Sequence, residues 1–95
     1  MSFGRERLRV TYEALEVRRE ILGLGRMRRY PAGRIEEMWV ATPYPTAKEV
    51  EQGLLRLNGA GEVVAFGAGL TPQEAGEILQ AIVSRFPNYR RALEA

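Results

Sequence analysis

The sequence predicts an α+β fold weighted heavily to β: a curved antiparallel sheet or open barrel of roughly five to seven short strands, capped by one C-terminal amphipathic helix. Three observations carry this. Short runs of period-two alternation recur through the first two thirds of the chain. Gly and Pro clusters punctuate them. Only residues 71–86 combine a helical start signal, helical periodicity and a stop signal.

Leu8 and Val10 alternate with Arg7 and Arg9, and Leu15, Val17 and Ile21 alternate with Glu16, Arg18 and Glu20, the pattern of half-buried strands. The loop between them, Thr11 to Ala14, contains no Gly and favours a four-residue connection. That loop sets Val10 opposite Leu15, Leu8 opposite Val17 and Arg9 opposite Glu16, so apolar meets apolar and charge meets countercharge. Gly23-Leu24-Gly25 turns the chain into a third strand, Arg26 to Tyr30. A three-residue loop there places Ile21 opposite Met27 and Glu20 opposite Arg28, and Pro31 ends the strand. In Arg34 to Ala41, Ile35, Met38 and Val40 cannot share a face under strict alternation, which predicts a bulge near Glu36-Glu37.

Thr42 to Thr46 holds two X-Pro pairs and reads as loop; Ala47 to Gln52 is either a helical turn or more loop. Leu54 to Asn58 and Glu62 to Phe66 form a last hairpin around Gly59-Ala60-Gly61, with Leu57 facing Val63 and Leu55 facing Ala65. Thr71, Pro72 and Glu74 then supply N-cap, first helical residue and capping-box partner, with Leu70 and Ala75 as hydrophobic staple. Ala75, Ile78, Leu79, Ile82 and Phe86 share one helical face, and Pro87 ends the helix. A lone helix this short is marginal in water, so its stripe must be buried on the strands. The chain is thus one domain, residues 1–95, with a core over about 5–87 and a frayed tail over 88–95.

Composition narrows the function. The chain has 95 residues, 45% of them hydrophobic, with no His and no Cys, and all twelve acids are Glu. The commonest general base, the commonest metal ligand and the best side-chain nucleophile are missing, which argues against an enzyme and against a cofactor or metal. Without Cys there is no disulfide frame. No apolar run is long enough to cross a bilayer, and the first ten residues lack a signal peptide's apolar stretch, so a soluble cytoplasmic chain is expected. Thirteen of the fourteen cations are Arg, which suits a GC-rich or thermophilic source.

The order of parts resembles bacterial pleckstrin-homology-like (PH-like) domains, of the type found on bacterial membrane proteins. The residues carrying the resemblance are Leu8-Arg9-Val10, Ala14-Leu15-Glu16-Val17, Gly23-Leu24-Gly25, Arg29-Tyr30, Ile35, and Phe66-Gly67-Ala68-Gly69-Leu70-Thr71 with Glu74-Ala75. The resemblance covers roughly residues 6–86 and rests on loose hydrophobic and glycine positions. It implies a curved sheet or open barrel capped by the final helix, and a binding or scaffolding role without chemistry. Such domains usually follow transmembrane segments, none of which is present here, and the strand count is one short of theirs. A stand-alone version and a piece of something longer both fit.

The net charge of +2 hides an asymmetry: residues 18–34 carry six Arg and one Glu. In the expected registers Arg7, Arg9, Arg18, Arg26 and Arg28 project from one face of three strands, with Glu16 and Glu20 among them. Together with Arg29 and Arg34 they are the candidate anion or partner site, because Arg forks match phosphate and carboxylate. The competing reading is a solvated sheet face laced with weak cross-strand ion pairs. Arg19 and Arg29 fall on the apolar face, opposite each other, and Glu6 is placed to relieve Arg19. Leu24 at a hairpin tip and Tyr44 between two prolines are candidate partner contacts. Trp39 reads as core, unless the bulge turns it outward as an interface anchor. Neither glycine-rich turn has the residues of a phosphate loop. Single-strand nucleic-acid binding wants exposed aromatics among the cations, and only Tyr30 and Tyr12 qualify.

The expectation is therefore a non-catalytic binding or adaptor module, an accessory protein docking on a larger, membrane-associated or soluble assembly. Binding of anionic lipid headgroups or phosphate through the Arg-rich hairpin, at the inner membrane surface, is the alternative; nucleic acid is the second. Pairing of an edge strand with a second copy is a further route to partners.

Overall fold

The computed structural model describes residues 2–3, 5–21, 24–59 and 61–94. The chain is α+β and mostly β, as its periodicity requires. One antiparallel sheet has the order β1 (Ser2–Phe3), β2 (Glu6–Val10), β3 (Ala14–Ile21), β4 (Leu24–Pro31), where β1 is a two-residue edge piece. The second has the order β5 (Ile35–Val40), β6 (Leu55–Gly59), β7 (Glu62–Phe66). A 3₁₀ turn, Ala32–Arg34, joins the sheets, and the helices are α1 (Ala47–Gln52), α2 (Pro72–Arg85) and α3 (Arg90–Glu94). The strands thus divide between two sheets and do not close into a barrel. Among the described residues no helix is long and apolar enough to cross a membrane.

The β2–β3 register is the one expected, with Val10 opposite Leu15, Leu8 opposite Val17 and Arg9 opposite Glu16. The β3–β4 register differs from expectation. Ile21 pairs with Leu24, leaving a two-residue connection that lies outside the described residues, and Leu24 belongs to the strand and not to a loop. The expected three-residue turn would have set Tyr30 against Arg18. In the observed register Leu15 meets Tyr30, both buried, and Glu16 meets Arg29. Burying an aromatic outweighed the turn preference, and the odd-numbered slip turned every β4 side chain to the other face.

β6–β7 slips by one residue for the same reason. Leu57 faces Val64 and Leu55 faces Phe66, so the largest apolar side chains meet in the core, while Val63 is 62% exposed. A two-residue connection, of which Ala60 lies outside the described residues, makes this possible because Gly61 takes φ +82°. In β5 the expected irregularity is present between Ile35 and Glu37.

The start signal and the apolar stripe of α2 act as read. Thr71 and Glu74 form a reciprocal capping box at the start of α2, and Ala75, Leu79, Ile82 and Val83 are buried in one cluster with Leu15, Leu55 and Phe66. α1 carries the same device, Thr46 with Glu49. The segment expected to fray after Pro87 is ordered instead: Tyr89 and Ala92 are buried, and the Tyr89 hydroxyl donates to the Thr11 carbonyl at 2.7 Å. The core therefore runs past Pro87, because α3 packs on β5. Burial pushes the Tyr89 phenol above its ordinary pKa.

Candidate functional site

Hairpin β3–β4 is buried only at its root, where Ala14, Leu15, Val17 and Tyr30 enter the core. From Arg18 to Arg29, each residue whose side chain is described is exposed. Period-two geometry then sorts the cations by face. Arg19, Arg26 and Arg28 share the inner face with Glu6, Leu8, Val17 and Tyr30; Arg7, Arg9, Arg18 and Arg29 share the outer face with Glu16, Glu20 and Met27. The single five-arginine face expected from the sequence is thus two smaller sets, Arg26 and Arg28 having changed sides. Arg19 stands opposite Arg26, not Arg29.

The outer set is largely a solvated face. Arg9 lies 4.0 Å from half-buried Glu16 and Arg29 lies 3.8 Å from exposed Glu13, in solvated pairs worth little. Arg18 lies along the strand against Gly25, where a Cβ would sit 3.1 Å from its Nε.

The inner set lines a groove of about 430 Å³. Its floor is the inner face of β3–β4, with Val17, Arg19, Arg26, Arg28 and Tyr30. Its opposite wall is the run Glu62 to Ala65 of β7, and Gln52 of α1 closes one side. Two contacts set its width. Glu6, only 3% exposed, accepts from Arg19 Nε at 3.1 Å through one oxygen and from the Gly67 backbone N–H through the other. Arg19 also donates to the Ala65 carbonyl. This clip ties the first sheet to the end of β7, and it needs glycine at 67, whose φ is +77° and whose missing Cβ would press on Leu55 and Leu70. Across the groove Arg28 lies 3.8 Å from Glu62, both side chains more than half exposed.

Arg26 has no carboxylate within 4.0 Å among the described residues. The Tyr30 hydroxyl is buried and has no hydrogen-bond partner among them. Tyr30 also borders a smaller cavity of about 120 Å³ with Arg29, Arg34 and Glu62, so Arg34 sits at the far end of the same seam. Arg26 and Arg28, exposed along the groove, offer guanidinium forks that suit an anion of carboxylate type, with Glu62 the acidic side chain of the lining.

The remaining candidates lie elsewhere. Leu24 is 77% exposed at the far end of the hairpin, and Tyr44 is 89% exposed on the loop before α1. Trp39 is half-buried on β5. Tyr12 stacks edge-on against Phe86 with centroids 4.8 Å apart, and its hydroxyl donates to the Arg85 carbonyl. Tyr30 is buried, and Tyr12, though exposed, is held against α2 by these contacts. Sequence reasoning missed Glu62 and the β7 wall altogether. It did carry a sign of the clip, since strict alternation puts Glu6 and Arg19 on the apolar face together.

No family model matches the chain, and neither does any curated protein or solved structure.

Proposed function

We propose that this chain is a non-catalytic binding module, PH-like in architecture, that docks an acidic segment of a protein partner in the groove between β3–β4 and β7. It acts as an accessory or adaptor subunit of a larger assembly in the cytoplasm. The observation that carries the reading is the imbalance in the groove: three arginines face two glutamates, and one of those glutamates, Glu6, is buried and fully engaged by Arg19 and Gly67. Arg26, exposed and lining the groove, has no carboxylate within 4.0 Å among the described residues. A bidentate guanidinium with a free fork selects carboxylate by geometry as well as charge.

Binding to polyglutamate tests this. The wild-type chain should bind with an affinity that falls as salt rises. Arg26→Glu combined with Arg28→Glu should weaken binding at least about tenfold while the fold persists, since both side chains are exposed. Undiminished binding by the double variant would sink the reading.

A second reading has its own observation. At the outer part of the hairpin exposed Leu24 shares the inner face with Arg26 and Arg28, and exposed Met27 lies on the other face with Arg18 and Arg29; apolar side chains among cations suit the surface of an anionic membrane. Sedimentation with vesicles containing anionic lipid, compared with neutral vesicles, separates the two. Leu24→Ser should matter for vesicles and not for polyglutamate.

A further inference from the structure

We infer that the free edge of β7 takes up the partner's acidic segment as an added β-strand. This rests on the reading above and states how the groove would hold its occupant. β7 is the last strand of its sheet, with β6 on one side only. Gly59 pairs with Glu62 across a two-residue connection, and adjacent residues cannot bond each other across so short a loop, so that pair must exchange its own two backbone hydrogen bonds. Alternation along the ladder then makes Leu57–Val64 and Leu55–Phe66 the bonded pairs. It turns the backbone groups of Val63 and Ala65 away from β6. The Ala65 carbonyl obeys this assignment, since it is taken from the other side by Arg19.

Among the described residues, what remains unpaired on the edge is the Val63 N–H and C=O and the Ala65 N–H, all within the wall of the groove. An extended guest laid against them completes the ladder, and Arg19 marks where the track ends. One side of the guest faces Arg26, Arg28 and Tyr30, which calls for Glu or Asp at alternate positions. A second copy of this chain fits the charge less well. Its own β7 offers only Glu62, and it would bring another set of arginines to the same place.

The test uses a capped six-residue peptide alternating glutamate and valine, its lysine-for-glutamate counterpart, and the Val63→Pro variant. Proline at 63 removes an N–H that the β6 ladder does not use, so the sheet should form while the edge is blocked. The glutamate peptide should bind, the lysine peptide should not, and Val63→Pro should weaken binding at least about tenfold. In the wild-type complex, amide exchange at Val63 and Ala65 should slow by about tenfold or more; this second measurement decides the matter if the proline variant does not fold. Binding without protection of those two amides, or undiminished by a folded Val63→Pro, overturns strand addition and leaves acidic recognition standing. Binding of polyglutamate but not of the peptide overturns strand addition too. Failure of both ligands overturns both conclusions. Dimers of the free chain that Val63→Pro abolishes would assign the edge to a second copy and overturn the inference.

Discussion

The two principal hairpins share a connection and differ in everything else. β3–β4 and β6–β7 are both antiparallel pairs closed by two residues. In β6–β7 the strands are short, and Leu55, Leu57 and Phe66 are fully buried under the helices and the other sheet. In β3–β4 the strands are longer, only the root is buried, and the outer part stands in water carrying five of the chain's fourteen cations. One hairpin holds the fold; the other displays. The difference follows from where apolar residues fall, since β3 has Arg19 and β4 has Arg26 and Arg28 at inner positions where β7 has Val64 and Phe66. A two-stranded ribbon with so little to bury is marginal alone, and its order depends on its root and on the clip to β7.

The sharpest way to break this contrast is to truncate one apolar side chain in each hairpin. Phe66→Ala empties a fully buried site beside Leu55 and Leu70, and should cost about 3–5 kcal/mol of unfolding free energy. Met27→Ala, on the exposed face of β4, should change stability by less than about 0.5 kcal/mol. Urea titration of the two variants measures both. Comparable losses would mean that the arginine hairpin carries fold energy after all.

The clip sharpens the comparison further, because among the described residues it is the charged contact between the display hairpin's sheet and the end of β7 whose carboxylate is buried. Arg19→Ala leaves the Glu6 carboxylate with only the Gly67 N–H for company, and should destabilise by about 2 kcal/mol. The Arg28–Glu62 contact spans the same groove but in solvent, and a double-mutant cycle should return less than about 1 kcal/mol. If the exposed pair coupled as strongly as the buried one, the groove's width would be set by its rim and not by its inner end.

How much of this the sequence disclosed depends on which forces set each feature. Local chemistry was legible: the Thr71–Glu74 box, the β2–β3 register, the irregularity at Glu36-Glu37 and the pairing of Glu6 with Arg19 all follow from neighbours within a strand or a turn. Both hairpin registers that depended on competition between turn preference and burial were misjudged, β3–β4 by three residues and β6–β7 by one. In each, a large apolar side chain (Tyr30, Phe66) found its partner in the core at the expense of the loop first expected. The candidate site inherits that error. Arg26 and Arg28 were recognisable as unusual, but their face is set by Tyr30's burial. The opposite wall was invisible because nothing in Glu62 to Ala65 marks it as an edge until the sheet order is known.

The contrast also predicts which half of the molecule responds to acid. The holding hairpin is flanked by α1 before β6 and α2 after β7, and each begins with a capping box. Hydrogen bonds from the backbone and hydroxyl of Thr46 hold the Glu49 carboxyl below the usual glutamate range, and Thr71 does the same for Glu74. A carboxyl whose pKa is depressed on folding contributes stability that is fully present above its unfolded pKa and is lost as pH falls through the folded one. Acid should therefore loosen the helix starts on either side of β6–β7. Glu74→Gln isolates the effect. The variant should be less stable than the wild type near neutral pH, and the gap should close as pH falls below the range in which glutamate ordinarily titrates. Urea midpoints of both chains at neutral pH and near pH 3, the lower chosen to lie beneath the glutamate range, decide it. A gap that stayed constant with pH would show that the Glu74 contribution is packing of its side chain and not the charged end of the cap.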